Sequence, residues 1–271
     1  MHLDFAYSPC PNDTYAFAAA VHGWVDTEGL HLSPHLADIL ELNRLARTGS
    51  PAVCKVSFFA YHFLRPRYRL LQSGAALGWG VGPLLAANRP LGPEDLPQAR
   101  IAIPGRDTTA HLLLHHYAPQ AQRREVRLFH EIMPAVASGE FDAGVIIHES
   151  RFTYPQYGLH LVQDLGAHWE ATTGTAIPLG GIVARGDLGA DVHARLERTL
   201  RRSIEFAHAH PERVMPYVRA HAQEMDEAVM RQHIGLYVNA HSLDLGPEGN
   251  HAVEVLLGVA AEVAALADEA A

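Results

Sequence analysis

The sequence predicts an α/β protein built as two βαβ-type lobes with a ligand cleft between them and C-terminal helices packed on the first lobe. Three observations carry this. Strand and helix patterns alternate from Met1 to about Phe63; the rhythm breaks at the glycine-rich "SGAALGWGVGPLLAAN"; and it starts afresh at "ARIAIPG" until a second Gly-Pro stretch, "TAIPLGGIVAR", gives way to a helical tail. Strands separated by single helices imply parallel sheets with right-handed crossovers. The two crossings place the larger lobe at 1–85 plus 183–271 and the smaller, inserted lobe at 86–182.

The elements follow in order. "HLDFAY" alternates apolar and polar residues as a strand does; Pro9 and Pro11 stop it, and Asn12 or Asp13 is available to cap the next helix. "GLHLSPHL" reads as a second strand. "DILELNRLARTG" then sets Ile39, Leu42 and Leu45/Ala46 at helical spacing until Gly49 ends the run. "PAVCKVS" is a short buried strand finishing at Ser57, followed by the helix start "FFAYHF". Past the first crossing come the strand "ARIAIPG", the helix "RDTTAHLLLHHY", the strand "EVRLF", the short helix "IMPAVASGE", the strand "DAGVIIH", a turn or helix in "ESRFTYPQYG", and the strand "LHLVQDL". The tail reads as helices at "DVHARLERTLRRSIEFAHAH", from Glu212, from Asp226 and from about Gly249.

Composition narrows the chemistry. A net charge of −9 without a basic cluster argues against nucleic acid as the main partner, because that binding needs a concentrated positive footprint. The chain shows no apolar run long enough for a bilayer and no secretory leader pattern, so a cytoplasmic protein with no membrane partner is expected. Cys10 and Cys54 are too few for a zinc framework and are expected as free thiols. Histidine is abundant, at 19, and His111 and His115 share a helical face, yet no third ligand stands near them, so no metal is expected. Walker, dinucleotide, zinc-protease and nucleophile-elbow motifs are all absent, which leaves cofactor-free acid/base work on a small substrate, or binding alone. Exposed apolar faces on the tail helices are compatible with a homodimer.

In parallel sheets ligands lie beyond the carboxyl ends of the strands. The residues there are Ser8 to Thr14, including Asn12 and Asp13, then Ser57, Gly105 to Thr109, and His148-Glu149; Asn43 sits on the first face of its helix. Thr108 and Thr109 offer backbone and hydroxyl donors to a carboxylate or phosphate, although Asp-Thr-Thr also caps a helix with no ligand. His148 is the first choice for a base, held by Glu149 or a backbone carbonyl with a pKa near neutrality; a histidine bonded only to backbone is the competing reading. Cys10 has no histidine adjacent in sequence to activate it and is read as a packing residue. Lys55, the sole lysine, shares strand parity with Ser57 and so faces the cleft side, or is solvated or ion-paired.

"SPCPNDTYAFAA", together with "CKVSFFAYHF", "SGAALGWGVGPLL", "PGRDTTAHLLL", "GVIIHESRFTY" and "TGTAIPLGGIVARGDL", resembles the family of 1,4-dihydroxy-6-naphthoate synthases. These are enzymes of the futalosine branch of menaquinone biosynthesis, with a fold similar to the two-lobed (type II) periplasmic solute-binding proteins. The resemblance implies a carbon–carbon lyase that cleaves cyclic dehypoxanthine futalosine to 1,4-dihydroxy-6-naphthoate and a dihydroxyacetone-type fragment. It implies His148 as the base, Ser57, Thr108 and Thr109 on the polar groups of a carboxylated bicycle, and Asn43 with the Ser8 to Thr14 loop lining the other lobe. A chorismate dehydratase of the same pathway and a non-catalytic solute-binding protein are the rival readings. The Cys-Pro-Asn-Asp opening and the His-Glu pair favour the synthase over the first, and the missing leader counts against the second.

Overall fold

The structure is a computed structural model that describes residues 1–223 and 226–269. The chain begins β1 (His2–Tyr7), α1 (Pro11–Val21), β2 (His31–Leu36), α2 (Ile39–Thr48), β3 (Val53–Ser57), α3 (Phe58–Leu64), β4 (Tyr68–Leu70) and β5 (Ala76–Gly78). It then crosses into β6 (Leu84–Ala87), β7 (Ile101–Ile103), α4 (Thr109–Tyr117), β8 (Arg124–Val126), α5 (Phe129–Ala137), β9 (Ala143–Ile146), α6 (Ser150–Thr153), β10 (His160–Asp164) and α7 (Leu165–Thr173). It returns in β11 (Ile177–Arg185) and ends with α8 (Ala190–Ala209), α9 (Pro211–His221), α10 (Glu227–Tyr237), α11 (Ala240–Leu243) and α12 (Gly246–Glu269).

Two sheets result, ordered β2-β1-β3-β11-β4 with β5 also on β11, and β10-β6-β9-β7-β8. Each contains the parallel core expected from βαβ units, β2-β1-β3 in one and β8-β7-β9 in the other. The strands outside those units run the other way: β11 is antiparallel to β3, β4 and β5, and β6 is antiparallel to β9 and β10. The sheets are therefore mixed, because the strands that carry the chain into and out of a lobe need no crossover helix.

Side chains of β1 divide between two cores. Phe5 and Tyr7 meet Phe17 of α1, with ring centroids 5.0 and 5.4 Å away, while Ala6 faces Leu42 and Cys54 on the other side. Helix α1 is buried almost throughout because the tail covers it, as expected. Ser203 of α8 fixes the contact: its hydroxyl donates to the Ala16 carbonyl and accepts from the Ala20 amide.

"TAIPLGGIVAR", expected as a crossing, is one continuous strand. Gly180 pairs with Ser57 and Gly181 with Val56. These glycines serve close packing rather than a bend: a Cβ on Gly180 would stand 2.9 Å from the Val56 carbonyl oxygen, and one on Gly181 2.7 Å from Leu70 Cδ1. The connections between sheets are 79–83 and 174–176, and the edges expected at 85/86 and 182/183 fall inside β6 and β11. Helix α7 is an addition to the elements read from sequence; Asp164 caps it by accepting from the Gly166 and Ala167 amides. Among the described residues no helix is long and apolar enough to cross a membrane.

Candidate active site

The strand ends converge. A cavity between the sheets, beyond the carboxyl ends of β1, β3, β7 and β9, is lined by Ser8, Asn12, Asp13, Lys55, Ser57, Thr108, Thr109 and His148, with Leu179 and Gly180 of β11 and Tyr237 of α10. Its volume is only about 90 Å³, so it is a narrow slot. A larger open hollow of about 730 Å³ among Arg65, Arg67, Arg69 and Arg185 shares none of these residues.

Asp13 organises the first-lobe wall. Asn12 and Asp13 lie inside the first turn of α1, not at its cap, which is Cys10 with no side-chain cap bond. The Asp13 carboxylate accepts from the Ser8 hydroxyl at 2.8 Å, from Asn12 Nδ2 at 2.8 Å and from Lys55 Nζ at 3.0 Å. Lys55 also donates to the Gly74 carbonyl at 3.1 Å. The sole lysine is thus a buried ion-pair partner that fastens the "SPCPND" loop to β3.

Ser57 is set by Asn43. The asparagine donates to the Ser57 hydroxyl at 3.2 Å and accepts from the Ser57 amide at 3.0 Å, so it stands behind Ser57 instead of lining the cavity. That leaves the Ser57 hydroxyl hydrogen free to point into the slot. Across the slot, Thr108 caps α4, and both threonine hydroxyls are committed to protein carbonyls: Thr108 donates to Gly105 at 2.7 Å and Thr109 to Leu179 at 2.8 Å. The hydroxyl donors expected there are spent. What remains is backbone, because the first-turn amides of a helix have no carbonyl of their own helix to bond.

His148 follows β9 and stands on the cavity wall with φ 56°, a left-handed conformation unusual for a residue with a Cβ. Phe129 packs edge-on to its ring at 5.0 Å. The expected neutral-range pKa is not found: burial pushes it down to about 4, with Asp13 pulling weakly the other way. The imidazole is therefore uncharged at neutral pH. Its Nδ1 stands 3.6 Å from Cys10 Sγ. Burial and the Glu149 carboxylate push the Cys10 thiol well up, which keeps it protonated and unsuited to nucleophilic attack.

Sequence reasoning misses Cys10 as the partner of His148, and it misses the tail. His233 of α10, fully buried, contacts Asn12 Oδ1 through Nε2 at 2.9 Å and places Nδ1 3.9 Å from Glu149 Oε2. Tyr237, one turn on, donates to the Val81 carbonyl at the crossing, and burial raises its phenol to about 12. Nothing local in sequence marks His233; its partner lies 221 positions away. The His111–His115 pair instead faces Arg124, whose Nη1 lies 3.2 Å from both rings. Among the described residues, the group able to hold a metal is Cys10, His148 and Glu149, whose donor atoms lie within 4.8 Å of one another.

A family profile described as menaquinone biosynthesis matches residues 3–262. A relative from Thermus thermophilus, named 1,4-dihydroxy-6-naphthoate synthase, is 51% identical over 258 residues, covering 95% of this chain and 93% of its own. One of the same name from Streptomyces coelicolor is 46% identical over 264 residues, covering 96% and 93%. A crystal structure of an Archaeoglobus fulgidus protein superposes with a TM-score of 0.91 at 34% identity over 98% of both chains. The alkanesulfonate-binding protein SsuA of Xanthomonas axonopodis pv. citri superposes at 0.66 with 14% identity, over 87% of this chain and 84% of its own, a likeness of fold alone. The chain belongs to the menaquinone biosynthesis family and, within it, to the 1,4-dihydroxy-6-naphthoate synthases, on a periplasmic-binding-protein-like fold.

Proposed function

We propose that this enzyme is a carbon–carbon lyase that cleaves cyclic dehypoxanthine futalosine to 1,4-dihydroxy-6-naphthoate, releasing a dihydroxyacetone fragment, with His148 as the base. The observation that carries the reading is the uncharged His148 ring on the wall of a narrow slot, with Nδ1 turned to Cys10 Sγ. When Nδ1–H donates to the sulfur, Nε2 keeps its lone pair for the slot. Proton removal by Nε2 sends electrons into the ring system, the sugar-derived carbons leave, and aromatisation of the naphthoate drives the reaction.

The substrate carboxylate belongs at the start of α4, where the Thr109 and Ala110 amides and the helix dipole favour negative charge, with the Ser57 hydroxyl opposite. A flat bicycle suits a slot of this width. Closure of the lobes about 79–83 and 174–176 keeps water from the reactive intermediate. On this reading the reaction belongs to the cytoplasm, and pairing of two copies through the tail helices is checked by light scattering.

The test is incubation of the purified protein with cyclic dehypoxanthine futalosine, following the naphthoate by chromatography and absorbance, beside His148→Ala. Product from the native protein and almost none from the variant is the expected result. Binding without conversion removes the lyase reading, and full turnover by His148→Ala removes His148 as the base.

A further inference from the structure

We propose that Cys10 Sγ, His148 Nδ1 and the Glu149 carboxylate form a binding site for a thiophilic divalent cation, Zn²⁺ by its chemistry, and that filling it switches the enzyme off. The switching clause rests on His148 being the base; the binding clause does not.

The geometry suits zinc. A tetrahedral ion with Zn–S of ~2.3 Å and Zn–N of ~2.0–2.1 Å holds its sulfur and nitrogen ligands ~3.5–3.6 Å apart. Cys10 Sγ and His148 Nδ1 already stand 3.6 Å apart. Every pair of donor atoms in the three residues lies within 4.8 Å, and a tetrahedral ion holds such ligands ~3.3–3.6 Å apart, so the carboxylate closes by at most ~1.5 Å to complete the ligand face. Thiolate with imidazole selects zinc over magnesium or calcium, which take oxygen ligands. Three protein ligands leave a fourth position for water.

The surroundings tolerate a cation. Lys55 is neutralised by Asp13 at 3.0 Å, and Arg151 is turned to the Gly82 carbonyl and Asp164. His233 Nδ1, buried without a hydrogen-bond partner, stands 3.9 Å from Glu149 Oε2. Because Nε2 of that ring donates to Asn12, Nδ1 presents a lone pair.

The consequence follows from imidazole chemistry. Coordination uses the Nδ1 lone pair, so the ring proton moves to Nε2, and the thiol proton leaves to the buffer. An Nε2 that carries hydrogen cannot accept one. The ion therefore disables the base without filling the substrate slot. Cys10 comes from the first lobe and His148 and Glu149 from the second, so the same ion ties the lobes together.

Co²⁺ serves as the optical probe. Titrated into chelator-treated protein, it is expected to bind one equivalent with a near-ultraviolet thiolate-to-cobalt band that Zn²⁺ abolishes by displacement. Cys10→Ser, checked for folding by circular dichroism, should lose the band and weaken Co²⁺ binding more than about tenfold, Glu149→Gln should keep the band with weaker binding, and Cys54→Ser should change neither. No band at stoichiometric Co²⁺, or a band lost in Cys54→Ser, overturns the site; the Cys54 variant decides even if Cys10→Ser does not fold. In turnover, Zn²⁺ should lower kcat with KM unchanged, reversibly by chelator. Bound zinc with undiminished turnover overturns the switch, whereas a native protein that makes no naphthoate overturns the lyase reading and leaves the cobalt band to judge the site.

Discussion

Cys10 Sγ and His148 Nδ1 meet at 3.6 Å across 138 positions of sequence, one from the loop after β1 and the other from the end of β9. On the proposed mechanism the sulfur accepts Nδ1–H and so fixes the ring's tautomer. Cys10→Ala removes that acceptor and is expected to lower kcat by about 10- to 100-fold, the range for groups that orient a functional imidazole, with KM little changed. Cys10→Ser keeps an acceptor and should retain more turnover than Cys10→Ala. Equal loss in both variants would show that shape, not hydrogen bonding, is what Cys10 supplies.

His148, the proposed base, sits in a backbone conformation that disfavours a side chain. At φ 56° an L-residue is strained by roughly 1–2 kcal/mol, and glycine is not. His148→Ala should lose about 10²- to 10⁴-fold in turnover, as expected for a general base. His148→Gly should be equally inactive yet more stable than His148→Ala by about 1 kcal/mol in urea unfolding. An alanine variant at least as stable as the glycine one would contradict the strain.

The Lys55–Asp13 pair is buried on both sides. Lys55→Met leaves the Asp13 charge without its cation and is expected to destabilise the fold by about 3–5 kcal/mol. Adding Asp13→Asn should recover part of that loss, since no buried charge then stands alone. A double-mutant cycle in urea reads the coupling directly, and additive losses would mean that the pair is not coupled.

His111 makes the fold sensitive to acid. Its Nδ1–H donates to the Arg106 carbonyl at 2.7 Å, and Nε2 accepts from Arg124, so a proton on Nε2 would face a guanidinium. Burial is the larger cause, and together they push the pKa from 6.5 to about 4. Between those values the unfolded chain binds more protons than the folded one. The stability contributed by neutral His111 is therefore complete above about pH 6.5 and falls as pH drops toward 4. Urea midpoints at about pH 7.5 and pH 5 should differ more for the native protein than for His111→Asn, and an equal difference would exclude His111 as the acid-labile group.

Much of the fold is legible locally. Each βα unit announces itself through apolar periodicity followed by a cap or breaker, and that alone marks the strand ends carrying Ser8, Ser57, Thr108 and His148. What escapes depends on contacts distant in sequence or on signals with two meanings. β4 and β5, at three residues each, are too short to show a period. "TAIPLGGIVAR" reads as a crossing because glycine marks both bends and close packing, and only the neighbouring Val56 and Leu70 decide between them. Cys10 lacks a histidine beside it in the chain. The fold supplies one from the other lobe, and His233 comes from a tail helix with no local cue.

β11 gives the protein a particular order of assembly on the ribosome. The edge of β3 away from β1 is covered, among the described residues, by β11, whose first residue follows the end of β3 by about 120 positions. At about 5–20 residues per second, the nascent chain carries that edge uncovered for roughly 6–24 seconds while the entire second lobe is synthesised. An unpaired, fully buried-type strand such as "VCKVS" is a template for pairing with another chain. Truncation before Ile177 is therefore expected to yield an aggregating fragment rather than a smaller folded lobe.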